Sequence, residues 1–261
     1  MRIKACIFDL GGTIVDRYSI TPLLSLRKVF SNRGINVNNT LIQKDMGMNK
    51  KDHIVNILND KYIERQWFQR YKDHPDEYDI NILFNDFNDN QYEYSDKMID
   101  ILPETPGCID YLNFNYIKTG CTTGFDKKNM EIIKNKLDHN DIYLDSYVSS
   151  TCLNKPSRPY PYMIHKNMLN LNINNPQQVI KVDDTVVGIE EGKNAGCVTV
   201  GVARWSINMN IMNINDAYDF DLKDIQDQLK ESRKVLNDSG ADYVIDTLDE
   251  LPSVIEDINY F

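Results

Sequence analysis

The sequence predicts an α/β fold, in which a doubly wound, mostly parallel sheet of the Rossmann-like type carries an inserted α-helical cap domain. Short apolar runs suited to buried parallel strands recur along the chain, and helix-length segments separate the later ones. The interval between the first two runs is about a hundred residues long and helical in pattern. Strands that alternate with helices form parallel sheets covered on both faces, which is the basis of this prediction.

Six apolar runs predict the strands, and three segments predict the helices that connect the later ones. The predicted strands are residues 3–8, 116–121, 143–148, 178–182 and 198–202, with a weaker one at 243–245. The predicted connecting helices are residues 127–137, 160–171 and 188–194.

The long first interval predicts a separate helical unit. Apolar residues recur at helical spacing in residues 23–30, 51–58, 63–71 and 86–101. Ordinary crossover loops are far shorter than this interval. We therefore expect a cap at residues 18–102, inserted into a core made of residues 1–17 and 103–261, with Pro103 and Pro106 marking the return. The cap is expected to close over the carboxyl ends of the strands, where open α/β folds bind ligands.

Composition and charge narrow the class of protein. Hydrophobic residues make up 41% of the 261 residues, and no apolar run reaches the roughly 20 residues that a membrane helix needs. The start of the chain lacks the pattern of a secretion signal, so we expect a cytoplasmic protein that does not bind membranes. The formal net charge of −10 argues against nucleic acid as a partner. The five cysteines are scattered without a C-x-x-C pair, and most are expected to be buried reduced thiols.

The apolar run of the first strand ends abruptly in an acid, two glycines and a threonine. Asp9 falls at the carboxyl end of that strand, where its carboxylate can attack phosphorus or bind magnesium. Gly11 and Gly12 allow a sharp turn close to a ligand, and Thr13 offers a hydroxyl group to phosphate oxygens. The alternative is an acid that only caps the following turn.

Two later segments carry groups suited to a phosphoryl anion. Thr122, Thr123 and Gly124 are expected to follow the second strand and to offer hydroxyl and backbone donors. A turn with an N-capping threonine explains them equally well when they are taken alone. The guanidinium of Arg158 can hold two phosphate oxygens at once, although an arginine before a proline is more often a surface residue.

Asp183 and Asp184 end the fourth predicted strand as an adjacent acidic pair. Two buried carboxylates repel each other unless a divalent cation or hydrogen bonds offset the repulsion. Oxygen ligands of this kind are those that Mg²⁺ binds. The pair therefore predicts a magnesium site at the edge of the sheet that Asp9 also reaches.

The order of these groups along the chain resembles that of the haloacid dehalogenase superfamily, whose phosphotransferases use an aspartate nucleophile. In the ordinary phosphatases and mutases of that superfamily, a second aspartate two places after the nucleophile protonates the leaving oxygen. Gly11 stands at that position here, and the loss of a general acid costs about 10²- to 10⁴-fold in rate. Either the enzyme is weak, or its leaving group is activated in another way.

Lys50 in the cap offers that other way, with His53 three residues later on the same helical face. A lysine whose pKa is lowered by burial forms a Schiff base with a carbonyl compound. The protonated imine accepts the electron pair that is released when a carbon–phosphorus bond breaks. The alternative is a lysine on a solvated cap helix.

The segment around Lys50 resembles the cap loop of the phosphonoacetaldehyde hydrolase family within that superfamily. Met46, Gly47, Lys50, Asp52 and His53 fall at that family's spacing. Later stretches resemble its other motifs over nearly the whole chain, namely "TTG", "RPYPYM", "IKVDDT" and "EEGKNAGCVTVGV".

The resemblance implies a reaction and a set of site residues. Asp9 is the implied nucleophile that becomes an aspartyl phosphate, and Lys50 holds the aldehyde as an imine. Mg²⁺ is implied at Asp9, at the Gly11 carbonyl and at Asp184, with Asp183 and Thr13 in supporting positions. The implied contacts of the substrate are Gly11, Met46, His53, Thr123, Gly124 and Arg158.

The implied reaction is hydrolysis of phosphonoacetaldehyde, a small-molecule phosphonate, to acetaldehyde and phosphate. Members of this family are typically homodimers joined through their caps. The apolar positions of residues 23–30 are candidates for such a contact.

Two positions depart from the family pattern. The family usually has a second acid four residues after the motif that contains Asp184, and Gly188 stands there. We expect Asp183 to supply the missing charge. Ser19 occupies a position where the family commonly has cysteine, which affects a contact between cap and core and leaves the chemistry in place.

Two other functions remain open from the sequence. A phosphatase or phosphomutase acting on a small phosphate monoester would use Lys50 only as a substrate-binding cation, although Gly11 argues against that chemistry. A catalytically inactive binding protein with the same fold is the third hypothesis, because a fold does not determine a function.

Overall fold

The computed structural model describes residues 2–211 and 225–260 of the chain. Its centre is a six-stranded sheet with the strand order β3-β2-β1-β4-β5-β6, in which every pair of neighbouring strands is parallel. The strands are β1 (Ala5–Phe8), β2 (Lys118–Thr123), β3 (Ser146–Ser149), β4 (Val179–Asp183), β5 (Val198–Val202) and β6 (Tyr243–Ile245). The predicted α/β fold with a parallel sheet is thus confirmed, including the weaker strand.

Helices cover both faces of this sheet. They are α6 (Thr105–Phe114), α7 (Lys127–Asp138), α8 (Tyr162–Asn170), α9 (Val186–Ala195), α10 (Gln226–Asp238) and α11 (Leu251–Tyr260). Successive residues of a strand point to opposite faces. Phe8 accordingly packs in one core cluster with Leu112 of α6, and Ile7 packs in another with Ile164 of α8.

Five further helices lie between β1 and β2 and form the cap. They are α1 (Ile20–Ser31), α2 (Asn39–Lys44), α3 (Lys50–Leu58), α4 (Lys61–Tyr71) and α5 (Glu77–Lys97). Helix α5 packs against α1 and α3 within the cap and against α7 of the core. The exact limits of the cap at residues 18 and 102 stay a prediction, and positions 212–224 of the predicted core lie outside the described residues.

The two passages of the chain between core and cap lie side by side. Val15 and Ile101 form an antiparallel bridge, and the amide of Leu102 donates to the carbonyl of Ile14 at 3.0 Å. Arg17 forms an ion pair with Asp100 at 2.6 Å. The two segments that connect the cap to the core are therefore paired with each other.

Several predicted boundaries are wrong, for local reasons. The second strand begins at Lys118 and runs through Thr123, because Tyr116 has a left-handed φ of 56° that interrupts an extended chain. Thr122 and Thr123 therefore lie within the strand and not after it. The segment predicted at 86–101 is a helix that begins at Glu77, where Asp76 and Asp79 form a capping box, and ends at Lys97. Helices α2 and α6 were not predicted.

The apolar positions of α1 face the interior of the protomer. Leu23, Leu26, Val29 and Phe30 are all fully buried. Packing within the protomer, against α5 among others, covers these four side chains, and the contact between two caps stays a prediction.

Four of the five cysteines are buried, Cys152 is exposed, and all are free thiols. No helix among the residues of the two described ranges is both long and apolar enough to cross a membrane.

Candidate active site

The carboxyl ends of three neighbouring strands bring the predicted acidic and hydroxyl groups together. Asp9 follows β1, Thr123 ends β2, and Asp183 ends β4 with Asp184 directly after it. Strand β1 pairs with β2 on one side and with β4 on the other, so the strand order reverses at β1. Such a switch point is where open α/β sheets bind ligands.

The cap supplies the opposite wall of the same pocket. Lys50 is the first residue of α3, because the side chain of Asn49 accepts the amide hydrogens of Lys51 and Asp52 and starts the helix there. Its side chain is buried, with 4% of its surface exposed. The residues that line the pocket are Asp9, Gly11, Ser19, Pro22, Met46, Gly47, Lys50, Thr123, Gly124, Phe125, Arg158 and Thr185.

Glycine residues allow the backbone of the cap to approach the core closely. A Cβ atom on Gly124 would lie 2.5 Å from the carbonyl oxygen of Met48 and 2.7 Å from that of Gly47. Gly47 itself has a φ of +93°, and a Cβ there would lie 2.7 Å from Oγ1 of Thr185. Only glycine fits at both positions, so the cap loop rests directly on the ends of β2 and β4.

The glycine turn after β1 is equally tight. Gly12 has a φ of +73°, and a Cβ atom there would lie 2.4 Å from Oδ2 of Asp184. Thr13 donates a long hydrogen bond of 3.4 Å to Oδ1 of Asp184. A Cβ on Gly11 would lie 3.2 Å from Oγ of Ser19, so the serine occupies much of the space that a longer side chain at position 11 would enter.

The side-chain amine of Lys50 is buried between the cap and the core. Burial lowers its pKa from 10.5 to about 8, against the opposing charge of Asp9. Its Nζ lies 3.5 Å from Sδ of Met46 and 5.9 Å from the ring centroid of Phe125. An amine with this pKa is partly neutral at pH 7 to 8 and can attack a carbonyl group.

His53 lies one helical turn after Lys50 and does not line the pocket. Burial, together with the charge of Lys50, lowers the pKa of His53 well below its usual value. The ring is therefore neutral near pH 7.

Arg158 is buried beside the predicted nucleophile. Its Nη2 lies 2.8 Å from Oδ1 of Asp9, and its Nε donates to Oε2 of Glu191 at 2.8 Å. The guanidinium also donates from Nη2 to the carbonyl and hydroxyl oxygens of Thr122. The sequence predicted Arg158 as an anion ligand, and the structure places it within the pocket.

Lys181 and Glu191 are two charged residues of the site that sequence reasoning missed. Both side chains are fully buried. Lys181 contacts Oδ2 of Asp183 at 2.9 Å. The signal for Lys181 was a charged residue inside the apolar run of β4, whereas nothing in the local pattern of α9 distinguishes Glu191 from its neighbours.

Three carboxylates form a cluster that could hold a metal ion. One oxygen from each of Asp9, Asp183 and Asp184 lies within 4.8 Å of the others. Burial raises the pKa of Asp184, and the neighbouring charges of Asp183 and Asp9 raise it further. The pKa of Asp183 is lowered, because Lys181 and Arg158 outweigh its burial.

The charges around this cluster do not balance. Four buried carboxylates, those of Asp9, Asp183, Asp184 and Glu191, face three buried basic side chains, those of Lys50, Arg158 and Lys181. Hard oxygen ligands with an excess of negative charge fit a divalent cation such as Mg²⁺ or Ca²⁺. The predicted metal site is therefore chemically consistent with the residues that the fold assembles.

Comparisons with known proteins agree with this geometry. The model of the haloacid dehalogenase-like hydrolase family matches residues 6–202. The chain is 31% identical to a phosphonoacetaldehyde hydrolase of Bacillus cytotoxicus over 98% of this chain and 96% of the relative. It is 33% identical to one of Latilactobacillus sakei over 97% of this chain and 95% of the relative.

A solved structure shows the same architecture along the entire chain. The crystal structure of a phosphonoacetaldehyde hydrolase-like protein from Oleispira antarctica superimposes with a TM-score of 0.94 at 29% identity. The match covers 100% of this chain and 94% of that one.

Proposed function

The chain belongs to the haloacid dehalogenase-like hydrolases, and within them to the family of the phosphonoacetaldehyde hydrolases, and from this premise we propose that it hydrolyses phosphonoacetaldehyde. The products are acetaldehyde and phosphate. One observation carries the proposal: Lys50 from the cap and Asp9 from the sheet line the same pocket. An amine that activates an aldehyde and a carboxylate that attacks phosphorus are the two groups that this reaction requires.

The reaction begins at Lys50. The neutral amine attacks the aldehyde carbon, and loss of water leaves an imine between Nζ and the substrate. Burial keeps part of the lysine neutral near pH 8. The protonated imine then withdraws electrons from the adjacent carbon–phosphorus bond.

The second step takes place at Asp9. One carboxylate oxygen attacks phosphorus, the carbon–phosphorus bond breaks, and its electron pair enters the imine to form an enamine. A proton from solvent returns to carbon, and hydrolysis of the imine releases acetaldehyde and regenerates Lys50. Water then cleaves the aspartyl phosphate to phosphate and free Asp9.

The phosphonate end of the substrate needs cationic and hydrogen-bonding partners. We assign this role to Arg158, Thr123 and Gly124, which line the pocket next to Asp9. The guanidinium of Arg158 offers paired N–H donors to phosphonate oxygens. The guanidinium of Arg158 is buried beside Asp9, so an anion attacked by Asp9 would lie within reach of its N–H donors.

A divalent cation, Mg²⁺ in our proposal, would be held by Asp9, Asp184 and the carbonyl of Gly11. When bound, it would neutralise negative charge on the phosphonate and on the carboxylates. Asp183 and Thr13 support this site from behind, through Lys181 and Asp184 respectively. A homodimer joined through the caps, suggested by the family resemblance, remains a proposal.

The test is release of phosphate and acetaldehyde from phosphonoacetaldehyde, with and without Mg²⁺. Borohydride reduction during turnover is expected to leave a mass adduct on Lys50, and Lys50→Arg is expected to abolish both the adduct and product release. Full activity in Lys50→Arg would contradict the mechanism. Mg²⁺-dependent hydrolysis of phosphate monoesters alone would replace it with a phosphatase function.

A further inference from the structure

Glu191 lies directly behind Arg158 and does not line the substrate pocket. It belongs to α9, and its side chain is fully buried. Its Oε2 accepts the Nε–H of Arg158 at 2.8 Å. The edge of the guanidinium that faces away from the pocket is thus held by a carboxylate.

The two terminal nitrogens of the guanidinium have other partners, and Nη2 donates to the carbonyl and hydroxyl oxygens of Thr122. Nη2 lies 2.8 Å from Oδ1 of Asp9. Nη1 makes a long hydrogen bond of 3.4 Å to the carbonyl oxygen of Gly47 in the cap loop. Nη1 and Nη2 thus reach the pocket residues Gly47 and Asp9, while Nε is held by Glu191.

Glu191 is itself held in place by two neighbours. The hydroxyl of Thr122 donates to Oε2 of Glu191 at 3.0 Å and accepts from Nζ of Lys181 at 2.8 Å. Nζ of Lys181 lies 3.7 Å from Oε2 of Glu191. These contacts, together with the Nε–H of Arg158, hold Oε2 of Glu191 in one position.

We propose that Glu191 is a positioning residue for the anion site, which fixes the plane of the Arg158 guanidinium so that its pocket-facing donors meet the phosphonate. The inference rests on the proposed function, in which Arg158 binds that group. An arginine side chain has several rotatable bonds, and holding it beforehand removes the entropy cost of ordering that side chain when a ligand binds. Without Glu191, the Nε–H would lack its acceptor and the guanidinium would turn toward the carboxylates of Asp9 and Asp183.

The experiment compares Glu191→Leu, Glu191→Gln and the matched control Glu190→Gln, which alters an exposed residue next in sequence on the same helix. Two readouts are measured in Mg²⁺ buffer. Calorimetry gives the affinity for inorganic phosphate, which probes the anion site. Borohydride trapping of acetaldehyde on Lys50 probes the amine without any phosphonate.

We expect Glu191→Leu to weaken phosphate binding about 10- to 100-fold, the usual effect of losing a hydrogen bond to a charged group. Glu191→Gln keeps an acceptor oxygen and is expected to lose only about fivefold. The acetaldehyde adduct on Lys50 is expected to be unchanged in all variants, and Glu190→Gln is expected to match the wild type in both readouts.

Phosphate affinity that stays within twofold of the wild type in Glu191→Leu would overturn the proposal. Equal losses of phosphate binding and of adduct would also overturn it, because they indicate general damage to the fold. If Glu191→Leu does not fold, Glu191→Gln is used in its place. A selective loss of phosphate affinity in Glu191→Gln supports the proposal, and an unchanged affinity overturns it. If the wild type binds phosphate but does not hydrolyse phosphonoacetaldehyde, this series still tests the role of Glu191, and only the substrate assignment fails.

Discussion

The carboxylate of Asp183 fills the space that a side chain at Gly188 would need. A Cβ atom on Gly188 would lie 1.9 Å from both Cγ and Oδ2 of Asp183. Oδ1 of Asp183 accepts hydrogen bonds from the amide and hydroxyl of Thr185 at 2.9 and 2.7 Å. The carboxylate at position 183 thus occupies the space of a side chain at position 188, and we predict that it takes the place of the acid that the family resemblance implied there.

The first prediction tests this exchange. Glycine at position 188 is required only while Asp183 occupies the shared space, so Gly188→Asp alone is expected to destabilise the protein through steric overlap and like charge. Asp183→Gly alone leaves Lys181 without its closest carboxylate, and breaking a buried pair in this way costs about 3 to 5 kcal/mol. The double variant is expected to unfold at a higher urea concentration than either single variant. A double variant no more stable than the singles would contradict the exchange.

The second prediction concerns the contact between cap and core. Gly124→Ala would push a methyl group against the carbonyl oxygens of Met48 and Gly47, which belong to the backbone and cannot rotate away. The cap would then sit farther from Asp9. A misplacement of about 1 Å can cost about 100-fold in rate, so kcat/KM for phosphonoacetaldehyde is expected to fall by about that factor.

Gly107→Ala is the matched control for Gly124→Ala. Gly107 lies in α6, and a Cβ atom there would meet nothing within 4 Å. We expect normal kinetics and a gain in stability of about 0.5 to 1 kcal/mol, because alanine is the better helix former. Normal kinetics in Gly124→Ala as well would show that the cap closes without this contact.

The third prediction is the pH dependence of imine formation at Lys50. Burial lowers the pKa of this amine to about 8, and only the neutral form attacks an aldehyde. The initial rate of borohydride trapping is expected to rise about tenfold per pH unit below pH 8 and to level off above it. Lys51→Met, a change at the neighbouring and partly exposed lysine, is expected to leave this profile unchanged. A plateau that begins near pH 10.5 would contradict the low pKa.

The same shift affects stability with a definite sign. The pKa of Lys50 is lower in the folded protein than its ordinary value of 10.5. The unfolded chain therefore binds more protons at this group between about pH 8 and 10.5, and the contribution of Lys50 to stability rises with pH across that window. Below pH 8 the buried ammonium is a constant cost, so Lys50→Met is expected to raise the melting temperature at pH 7.

The fourth prediction concerns the metal site. Burial and the charges of Asp183 and Asp9 oppose ionisation of Asp184, so Asp184→Asn is expected to stabilise the metal-free protein. Mg²⁺ at about 100 times its Kd is expected to stabilise the wild type by about 2.7 kcal/mol and the variant not at all. Thermal melts with EDTA or Mg²⁺ measure both effects, and Asp110→Asn, at an exposed position of α6, is the charge-matched control. An equal Mg²⁺ response in Asp184→Asn would remove Asp184 from the metal site.

Much of the site could be predicted because the rules that place it are local. A buried strand that ends in an acid puts that acid at the carboxyl edge of a parallel sheet, which was enough for Asp9 and Asp184. Lys50, by contrast, was found because the segment around it resembles the cap loop of a known family. The limits of elements were less certain, since the left-handed φ of Tyr116 that delays β2 has no clear signal in the sequence.

The sequence by itself determined the parallel α/β core, the helical insertion and the positions of Asp9 and of the acidic pair at strand ends, because hydrophobic periodicity and strand ends are properties of neighbouring residues. Only the tertiary structure decided that Glu191 contacts Arg158, that Asp183 occupies the space beside Gly188, and that Gly124 lies against the backbone of the cap loop. Each of these depends on distances of a few ångströms between elements far apart in the chain. Packing sets such distances, and the energetic effect of a buried charge depends on which charged and polar groups surround it.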